Sequence, residues 1–439
     1  MKRQLGLLTL FVSLATTVCA DEPWTLERAL DYALAHNPDA RIAQQRIAAA
    51  EAGLEQANSA YWPQLKLGSS YTRTDNPMMV FGNILAQHSY DYASPPNFND
   101  LPDSDDANVH GMVTVPLYAG GRNSAGREAA KADSAAAKQD SVAVRNELGF
   151  EVSRAFYTVL KTRAFIRAAE ASVQSYETNL AIAQRRLAAG TLLKSDVLDV
   201  EVRLAQSQEN LVRARNANLL AIRALRNLLG IETGDFTVAD SAPVMHAPEM
   251  EDISHRPELA AAQHRERAAQ AQLRGAKSGY LPRINAFGSL DYDYGWVTGG
   301  DGKSYTAGVM AQWDLWDGFS TRAQARKAQA GLETAREQDR KLRLAIDLEY
   351  RQAQSNLETA DERLAVTGKS VELAAESAQL TRNRFEQGSA LSTQLIDAET
   401  ALVAARVSRA EAEADQHIAI AALRKALALP QLSSSTTDQ

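Results

Sequence analysis

A segment that occurs twice constrains the fold of this chain more than any other feature. The copies are 198 positions apart, at Arg186–Glu201 and Arg384–Glu399. Each copy places a glycine, Gly190 or Gly388, after a long run of helix-favouring residues, and a hydroxyl residue, Ser195 or Thr393, five positions later. Glycine closes a helix in the left-handed conformation, and a Ser or Thr side chain can cap the next helix. Each copy therefore predicts the tip of a helical hairpin.

The repeat extends over most of the chain. Leu117–Gly120 matches Leu315–Gly318 at the same offset, whereas Tyr61 and Pro63 match Tyr280 and Pro282 at an offset of 219. The first half therefore carries 21 extra residues between Leu65 and Leu117. A duplication of this length indicates two homologous halves rather than a solenoid of short repeats. We expect the halves to span 21–230 and 255–430, with a linker at 231–254 and a tail at 431–439.

The N-terminus has the pattern of a secretory signal peptide. Two basic residues precede an apolar run, and small residues lead to a cleavage position between Ala20 and Asp21. The only cysteine is Cys19, which belongs to residues 1–20 and leaves the mature chain without a disulfide. Removing the signal changes the formal charge from −7 to −9, because Lys2 and Arg3 are lost. An acidic chain without basic clusters gives no reason to expect nucleic acid as a partner.

Four short stretches alternate apolar and polar residues with a period of two, which predicts strands. They begin near Leu65, Val109, Ile284 and Tyr305. Strands of about ten residues with one apolar face are typical of membrane barrels, but four cannot close a barrel, so an oligomer must complete it. Tyr and Trp residues near the strand ends suit interfacial girdles, although an ordinary antiparallel sheet also favours aromatics. Residues 75–107, rich in Pro and Asp, predict a solvated loop.

The remaining sequence predicts long helices. Residues 121–190 contain no Pro and would form one helix of roughly 105 Å at 1.5 Å per residue. A helix of that length needs a long partner, and two shorter helices in each half are available to pack against it. An earlier helical run from Trp24 is interrupted at Asn37 and Pro38. The predicted fold is mostly α, with long antiparallel hairpins and four strands per protomer.

With these features together, the chain resembles the TolC family of bacterial outer-membrane channels. The tip segments carry the resemblance, supported by Tyr61-Trp62-Pro63, Tyr280-Leu281-Pro282 and Leu315-Trp316-Asp317-Gly318. The resemblance implies a homotrimer whose twelve strands form a barrel in outer-membrane lipid, with an α-barrel tunnel in the periplasm of a Gram-negative bacterium. It also implies a periplasmic adaptor (membrane fusion) protein and an inner-membrane transporter of the RND, ABC or MFS type. Residues at the barrel–helix junctions are then Pro63, Pro116, Pro282, Trp316 and Gly318.

The resemblance also implies a gate at the periplasmic tip turns. Relatives with a closed tip narrow it with rings of carboxylates, and Asp397 stands at one of these positions. Gln394 stands at the other position. Ala390 stands where some relatives have a basic residue, so Asp196 needs another partner. A carboxylate in the first turn of a helix is the alternative for Asp397, and the one we favour for Asp199. Three Asp397 carboxylates on an axis would repel and attract cations, which predicts pH-dependent conductance. The expected tip and gate residues are Gly190, Ser195, Asp196, Asp199, Phe385, Gly388, Thr393, Gln394 and Asp397.

No pattern in the sequence indicates an enzyme or a cofactor. The chain has no phosphate-cradling glycine loop and no Cys/His metal spacing, and scattered Met and His residues such as Met78 and His110 fit an ordinary loop better than a metal site. The alternative function is a soluble periplasmic coiled-coil scaffold or transport adaptor, which would not need four strands with an apolar face. The cargo stays open among drugs, metal ions and polypeptides of a type I secretion pathway.

Overall fold

A computed structural model describes residues 23–95, 97, 101–232, 236–241, 243, 245–249 and 252–432. The predicted signal peptide, with Ala20 and Asp21, lies outside the described residues, as do most of the C-terminal tail and part of the linker. A search of the described helices finds none that is long and apolar enough to cross a membrane.

Eight α-helices and four strands make up the described part of the chain, together with a short 3₁₀ turn at Ser278–Tyr280. In chain order they are α1 Leu26–His36, α2 Pro38–Ser59, β1 Gln64–Thr74, α3 Pro77–Ala86, β2 Ser104–Tyr118, α4 Arg122–Ala188, α5 Lys194–Leu229, α6 Pro257–Lys277, β3 Arg283–Tyr294, β4 Asp301–Gln312, α7 Ser320–Glu386 and α8 Ser392–Ala426.

The elements recur at the two offsets that the sequence indicates. Helices α4 and α7 both have 67 residues and begin 198 positions apart, and α2 and α6 begin 219 positions apart. The turn before each long helix also recurs, because Gly120 and Gly318 both have a positive φ, of 62° and 64°. A side chain at Gly120 would collide with Leu281, so this turn requires glycine.

The chain divides into two compact units, and each draws segments from both sequence halves. The helical unit contains residues 1–38, 146–250 and 351–439, which include α1, α5, α8 and both hairpin tips. The sheet unit contains residues 39–145 and 251–350, which include all four strands with α2, α3 and α6. Helices α4 and α7 contribute residues to both units.

The sheet is antiparallel in the order β1-β2-β3-β4, and its two faces differ in polarity. One cross-strand row joins Leu67, Gly111, Leu290 and Tyr305, and its three large side chains are 80%, 69% and 79% exposed. The opposite face is polar, since His110 Nδ1 lies 2.6 Å from Asp291 Oδ1 and Asn108 donates to Asp293 Oδ1 at 2.7 Å. We refer to these as the apolar face and the polar face.

The prediction of a solvated loop at 75–107 is wrong for much of its length. Helix α3 forms there because Asn76 caps it, with Oδ1 accepting a hydrogen bond from the backbone N of Met78 at 3.1 Å, and Pro77 fits the first turn. Strand β2 begins at Ser104, and Ser104 and Asp105 are buried. The acidic composition suggested solvent exposure, but neighbouring backbone and side-chain groups satisfy these residues.

The core of the helical unit contains a stacked aromatic pair between α4 and α8. The rings of Tyr157 and His417 lie 4.6 Å apart and are nearly parallel. Burial raises the pKa of Tyr157 to about 12 and lowers the pKa of His417 below its usual value, because both charged forms lose hydration there. The buried Nδ1 of His417 has no hydrogen-bond partner among the residues that the structure describes.

Candidate functional site

The two tip turns have the same backbone geometry. Gly190 and Gly388 adopt φ values of 73° and 81°, as the sequence predicts for residues that end a helix. In the first turn, Thr191 N donates to Arg186 O and Gly190 N donates to Leu187 O, both at 2.9 Å. Equivalent bonds from Ser389 and Gly388 measure 2.8 and 3.1 Å. Both turns are therefore Schellman motifs, which satisfy the last carbonyls of α4 and α7.

The prediction that Ser195 and Thr393 cap α5 and α8 is wrong. Each helix begins earlier, after Leu193 or Leu391, and both hydroxyl residues are exposed. The residue three positions after each leucine provides the cap instead. Asp196 Oδ2 accepts from Leu193 N at 3.3 Å, and Gln394 Oε1 accepts from Leu391 N at 3.2 Å. A carboxylate or amide at this position accepts from the backbone N–H of the N-cap residue itself, whereas a Ser side chain at the N-cap would accept from an N–H two or three residues later.

Asp196 also links the two hairpins. Its Oδ1 accepts a hydrogen bond from Ser392 Oγ at 2.8 Å. Ser392 is therefore the partner that Asp196 needs in place of a basic residue at position 390. Arg186 makes a second link, since Nη1 donates to Phe385 O at 2.8 Å and the guanidinium lies 4.9 Å from the centre of the Phe385 ring. These contacts hold the first and second tip turns together.

An apolar cluster fills the space between the four helix ends. Phe385 and Leu395 are fully buried and pack with Ile182, Val197 and Ala390. Ala390 thus contributes to the core of the tip. Around this core, an open groove follows the two turns, and exposed Leu193 and Leu391 line it, at 70% and 67% exposure.

A buried ion pair above the tip is the feature that sequence reasoning missed. Glu399 of α8 is 1% exposed and pairs with Arg382 of α7. Its Oε2 accepts from Ser175 Oγ of α4 at 2.8 Å, and its Oε1 lies 3.4 Å from Asn179 Nδ2. Arg382 Nη2 also donates to Ser175 Oγ at 2.6 Å. The network therefore joins three helices. Glu201, at the matching position of the first half, is exposed, so the repeat in the sequence could not indicate which of the two glutamates is buried.

The structure places the expected gate carboxylates on the surface of the helical unit. Asp199 and Asp397 are both exposed, but each is the sixth residue of its helix and lies in the second turn, so the expectation of a first-turn carboxylate is wrong because α5 and α8 begin earlier than the sequence suggested. Within the described part of the chain, neither carboxylate makes a hydrogen bond or an ion pair. The described residues contain no group of three His, Cys, Asp or Glu side chains that could hold a metal ion.

The expected junction residues lie where strands and helices meet in the sheet unit. Pro63 and Pro282 directly precede β1 and β3, and Pro116 marks a register shift in β2. Trp316 is 72% exposed after β4, and Gly318 supplies the turn into α7. Exposed aromatics cluster at these junctions, with Trp313 Nε1 donating to Tyr280 O at 3.1 Å.

Comparison with known proteins identifies similar chains of known fold. VceC, an outer membrane protein of Vibrio cholerae, is 20% identical with a TM-score of 0.77, covering 93% of this chain and 97% of that one. The CmeC outer membrane channel of Campylobacter jejuni is 15% identical with a TM-score of 0.78, covering 93% and 87%. The cobalt-zinc-cadmium resistance protein CzcC of Cupriavidus metallidurans is 25% identical over 232 residues, which are 52% of this chain and 48% of that relative. This chain thus matches about half the length of CzcC.

The family model described as "Outer membrane efflux protein" matches residues 29–231 and 251–429, which is more than half of the chain. Proteins of this family are transport channels of the Gram-negative outer membrane and are not enzymes. The helical hairpins and the four-stranded sheet agree with this match. The chain belongs to the outer membrane efflux protein family.

Proposed function

We propose that three copies of this chain form one channel that carries solutes across the outer membrane. The apolar face of the sheet is the observation that carries this proposal. Its large side chains are exposed in the single chain, and burying such a surface in lipid removes it from water. Aromatic side chains stand at both ends of this face, with Tyr71 and Tyr294 contacting Trp296 at the loop end and Trp313 and Trp316 at the helix end. This arrangement has the pattern of a membrane barrel wall.

The unpaired edges of the sheet support a closed assembly of several copies. In the described part of the chain, β1 and β4 each have a neighbouring strand on one side only. Pairing β1 of one copy with β4 of the next would satisfy both rows of backbone groups, which an exposed edge leaves open to aggregation. Three copies would give the twelve strands that the resemblance implies.

Two helical stripes support the same assembly in the helical unit. Val366, Leu373 and Leu380 recur every seven residues on α7 and are 66%, 58% and 55% exposed. Val212 and Leu219 have the same spacing on α5 and are 66% and 45% exposed. Apolar residues every seven positions form the contact line of long paired helices. We assign these stripes to contacts between neighbouring copies.

We further propose that Asp397 narrows the closed tip and that the groove at Leu193 and Leu391 receives a periplasmic adaptor protein. The exposure of these three residues in the single chain supports both assignments. Only one carboxylate per copy remains in the ring, since Gln394 stands at the second position and caps α8. The adaptor would connect the channel to an inner-membrane transporter. Metal cations are the cargo to test first, because the name of the relative CzcC refers to cobalt, zinc and cadmium resistance.

Single-channel conductance in a planar bilayer tests this proposal. We expect Asp397→Ala to enlarge the current steps and to weaken their dependence on pH and divalent cations, because it removes three carboxylates from the narrowest point. Asp199→Ala is the matched control, since Asp199 is an exposed carboxylate at the equivalent position of α5 in the other half, and this variant should leave conductance unchanged. Equal steps in all three proteins, or a native conductance that stays flat from pH 4 to pH 8, would remove the Asp397 gate. A folded protein that never inserts and washes off membranes with carbonate would instead be a periplasmic scaffold.

A further inference from the structure

Helix α3 is a fixed part of the sheet unit, although it belongs to a loop between two strands. Gln87, directly after the helix, is fully buried. Its Nε2 donates to Asp105 O at 2.7 Å and to Asp106 Oδ1 at 3.0 Å, and its Oε1 accepts from Thr298 Oγ1 at 2.5 Å. Asn83 Nδ2 adds a bond to Ser104 Oγ at 3.0 Å. One glutamine thus joins α3 to β2 and to the turn between β3 and β4.

Three glycines allow this close approach. A Cβ atom at Gly302 would lie 1.7 Å from Ala86 O, and one at Gly300 would lie 1.8 Å from Ser89 Oγ. A Cβ atom at Gly295 would lie 2.2 Å from Gln87 Oε1. A Cβ atom at Gly300 or Gly302 would collide with backbone oxygens of Gln87 or Ala86, and one at Gly295 would displace the buried Gln87 side chain. The turn between β3 and β4 is therefore shaped to hold the end of α3.

The contacts place α3 against the polar face of the sheet. Every second residue of β2 points to the same face of the sheet, and these residues include Ser104, Asp106, Asn108 and His110. Gly302 pairs with Asp293, whose side chain bonds to Asn108 on that face. Ser104, Asp106 and Gly302 all meet α3 or Gln87, and they lie in the last rows of the sheet before its loops. Helix α3 therefore lies at the loop-side rim, on the face opposite the exposed leucines.

The side of α3 that faces away from the sheet is apolar. Val80, Asn83 and Gln87 share one side, because successive residues turn by about 100° around a helix. Met78, Gly82 and Leu85 lie on the opposite side, and the two large side chains are 78% and 45% exposed. The helix contains no charged residue.

We propose that α3 lines the extracellular exit of the channel and that three copies form an apolar constriction there. This inference rests on the proposed trimer, in which the apolar face meets lipid and the polar face encloses the pore. Twelve strands spaced about 4.8 Å apart and tilted by about 40° enclose an opening roughly 24 Å wide. Three copies of α3, each about 10 Å thick, would occupy most of that width. The exit would then be lined by Met78 and Leu85 rather than by charged loops.

An apolar constriction favours solutes that lose little hydration energy on passing. Water leaves narrow apolar passages readily, so hydrated ions cross them slowly. The class of cargo that suits this exit is therefore amphiphilic or apolar, and rapid export of cobalt, zinc or cadmium ions would count against the constriction. Met78→Ser keeps the helix in place but makes its pore side polar. In the Asp397→Ala background, where the tip no longer limits the current, we expect it to raise the conductance for small ions at least twofold.

Cysteine cross-linking in the intact outer membrane tests this placement. The mature chain should contain no cysteine, so each variant would carry a single thiol per copy. Met78→Cys should form covalent dimers and trimers with a bifunctional maleimide whose span is about half the width of the exit. Leu67→Cys is the matched control, because Leu67 is equally exposed in the single chain but lies on the apolar face. It should stay monomeric and should be protected from a thiol reagent that does not enter membranes.

The outcomes separate this inference from the function on which it rests. If Leu67→Cys is protected by lipid but Met78→Cys gives no cross-linked species, the channel stands and the constriction is refuted. If the impermeant reagent labels both thiols at the same rate, the apolar face does not meet lipid, and both proposals fail. Cross-linking of Met78→Cys alone, with increased conductance of Met78→Ser, is the result that we expect.

Discussion

Removal of Arg382 should loosen the hairpin tips more than any surface change in the same helices. The arginine faces Glu399, whose side chain is 2% exposed, and Arg382→Ala would leave that carboxylate buried without its cation. Ser175 and Asn179 could still donate hydrogen bonds, but they are neutral. The variant therefore tests whether a buried ion pair holds α7 and α8 together above the tip turns.

The size of the effect follows from the burial of the pair. Removing one partner of a buried ion pair costs about 3 to 5 kcal/mol. Because the Arg382 side chain is itself 26% exposed, water can partly solvate the site, so we expect a loss near the lower limit, about 3 kcal/mol. At about 1.4 kcal/mol per factor of ten, this loss corresponds to a roughly hundredfold larger population of the locally opened state, and to correspondingly faster hydrogen exchange.

Hydrogen exchange measured by mass spectrometry can follow the first turns of α8 directly. Arg363→Ala is the matched control, since Arg363 also joins α7 to α8, through Asp415 at 2.8 Å, but both side chains are over a third exposed. Exposed pairs contribute about 1 kcal/mol or less, so this control should change exchange by a factor of about five at most. Glu399→Gln in the Arg382→Ala background should recover most of the protection, because the buried charge is gone. Equal acceleration in both arginine variants, or no recovery in the double variant, would refute the argument.

Two further substitutions test local physics in each unit. His417→Gln should flatten the decrease in unfolding free energy between about pH 6.5 and pH 5. Burial lowers the pKa of His417 in the folded state. Below the ordinary value of about 6.5, the unfolded state therefore binds a proton that the folded state does not bind, and the native protein loses stability as the pH falls. His255→Gln, at an exposed site, is the control in pH-dependent denaturation, and identical profiles for both would contradict the assignment. Gly388→Ala should lower the local stability by about 1 to 2 kcal/mol, because the φ of Gly388 is 81°. Gly331→Ala, inside α7 with open space around the Cβ position, should raise the local stability by about 0.5 to 1 kcal/mol. Changes of the same sign in both variants, measured by hydrogen exchange, would disprove this reasoning.

The elements of the fold could be predicted from the sequence because local signals set them. The positive φ of Gly190 and the alternation around Leu67 both follow from residue type and period. The side chains that join elements could not be predicted in this way. Ser195 was expected to cap α5, but the helix begins at Lys194, and the Asp196 carboxylate reaches back to the backbone N–H of Leu193, which is a different donor from the one that a hydroxyl cap would satisfy.

The buried network and α3 were missed for a different reason. Glu201 and Glu399 occupy matching positions in the two copies of the tip segment, and only the packing of α4, α7 and α8 buries the second one. The Pro- and Asp-rich composition around α3 suggested a solvated loop, but Gln87 and the glycines opposite it are distant in sequence and meet only in the folded sheet. Contacts between residues that are hundreds of positions apart produce no periodic pattern in a single sequence.

The close fit between Ala86 and Gly302 has an evolutionary consequence. The helix that ends at Ala86 belongs to the segment with 21 additional residues in the first half, and the glycines that receive it belong to the second half. The two halves therefore cannot diverge independently at this place. Homologues that keep the inserted helix should retain glycine at the positions of 295, 300 and 302, and homologues that lost it should vary there freely.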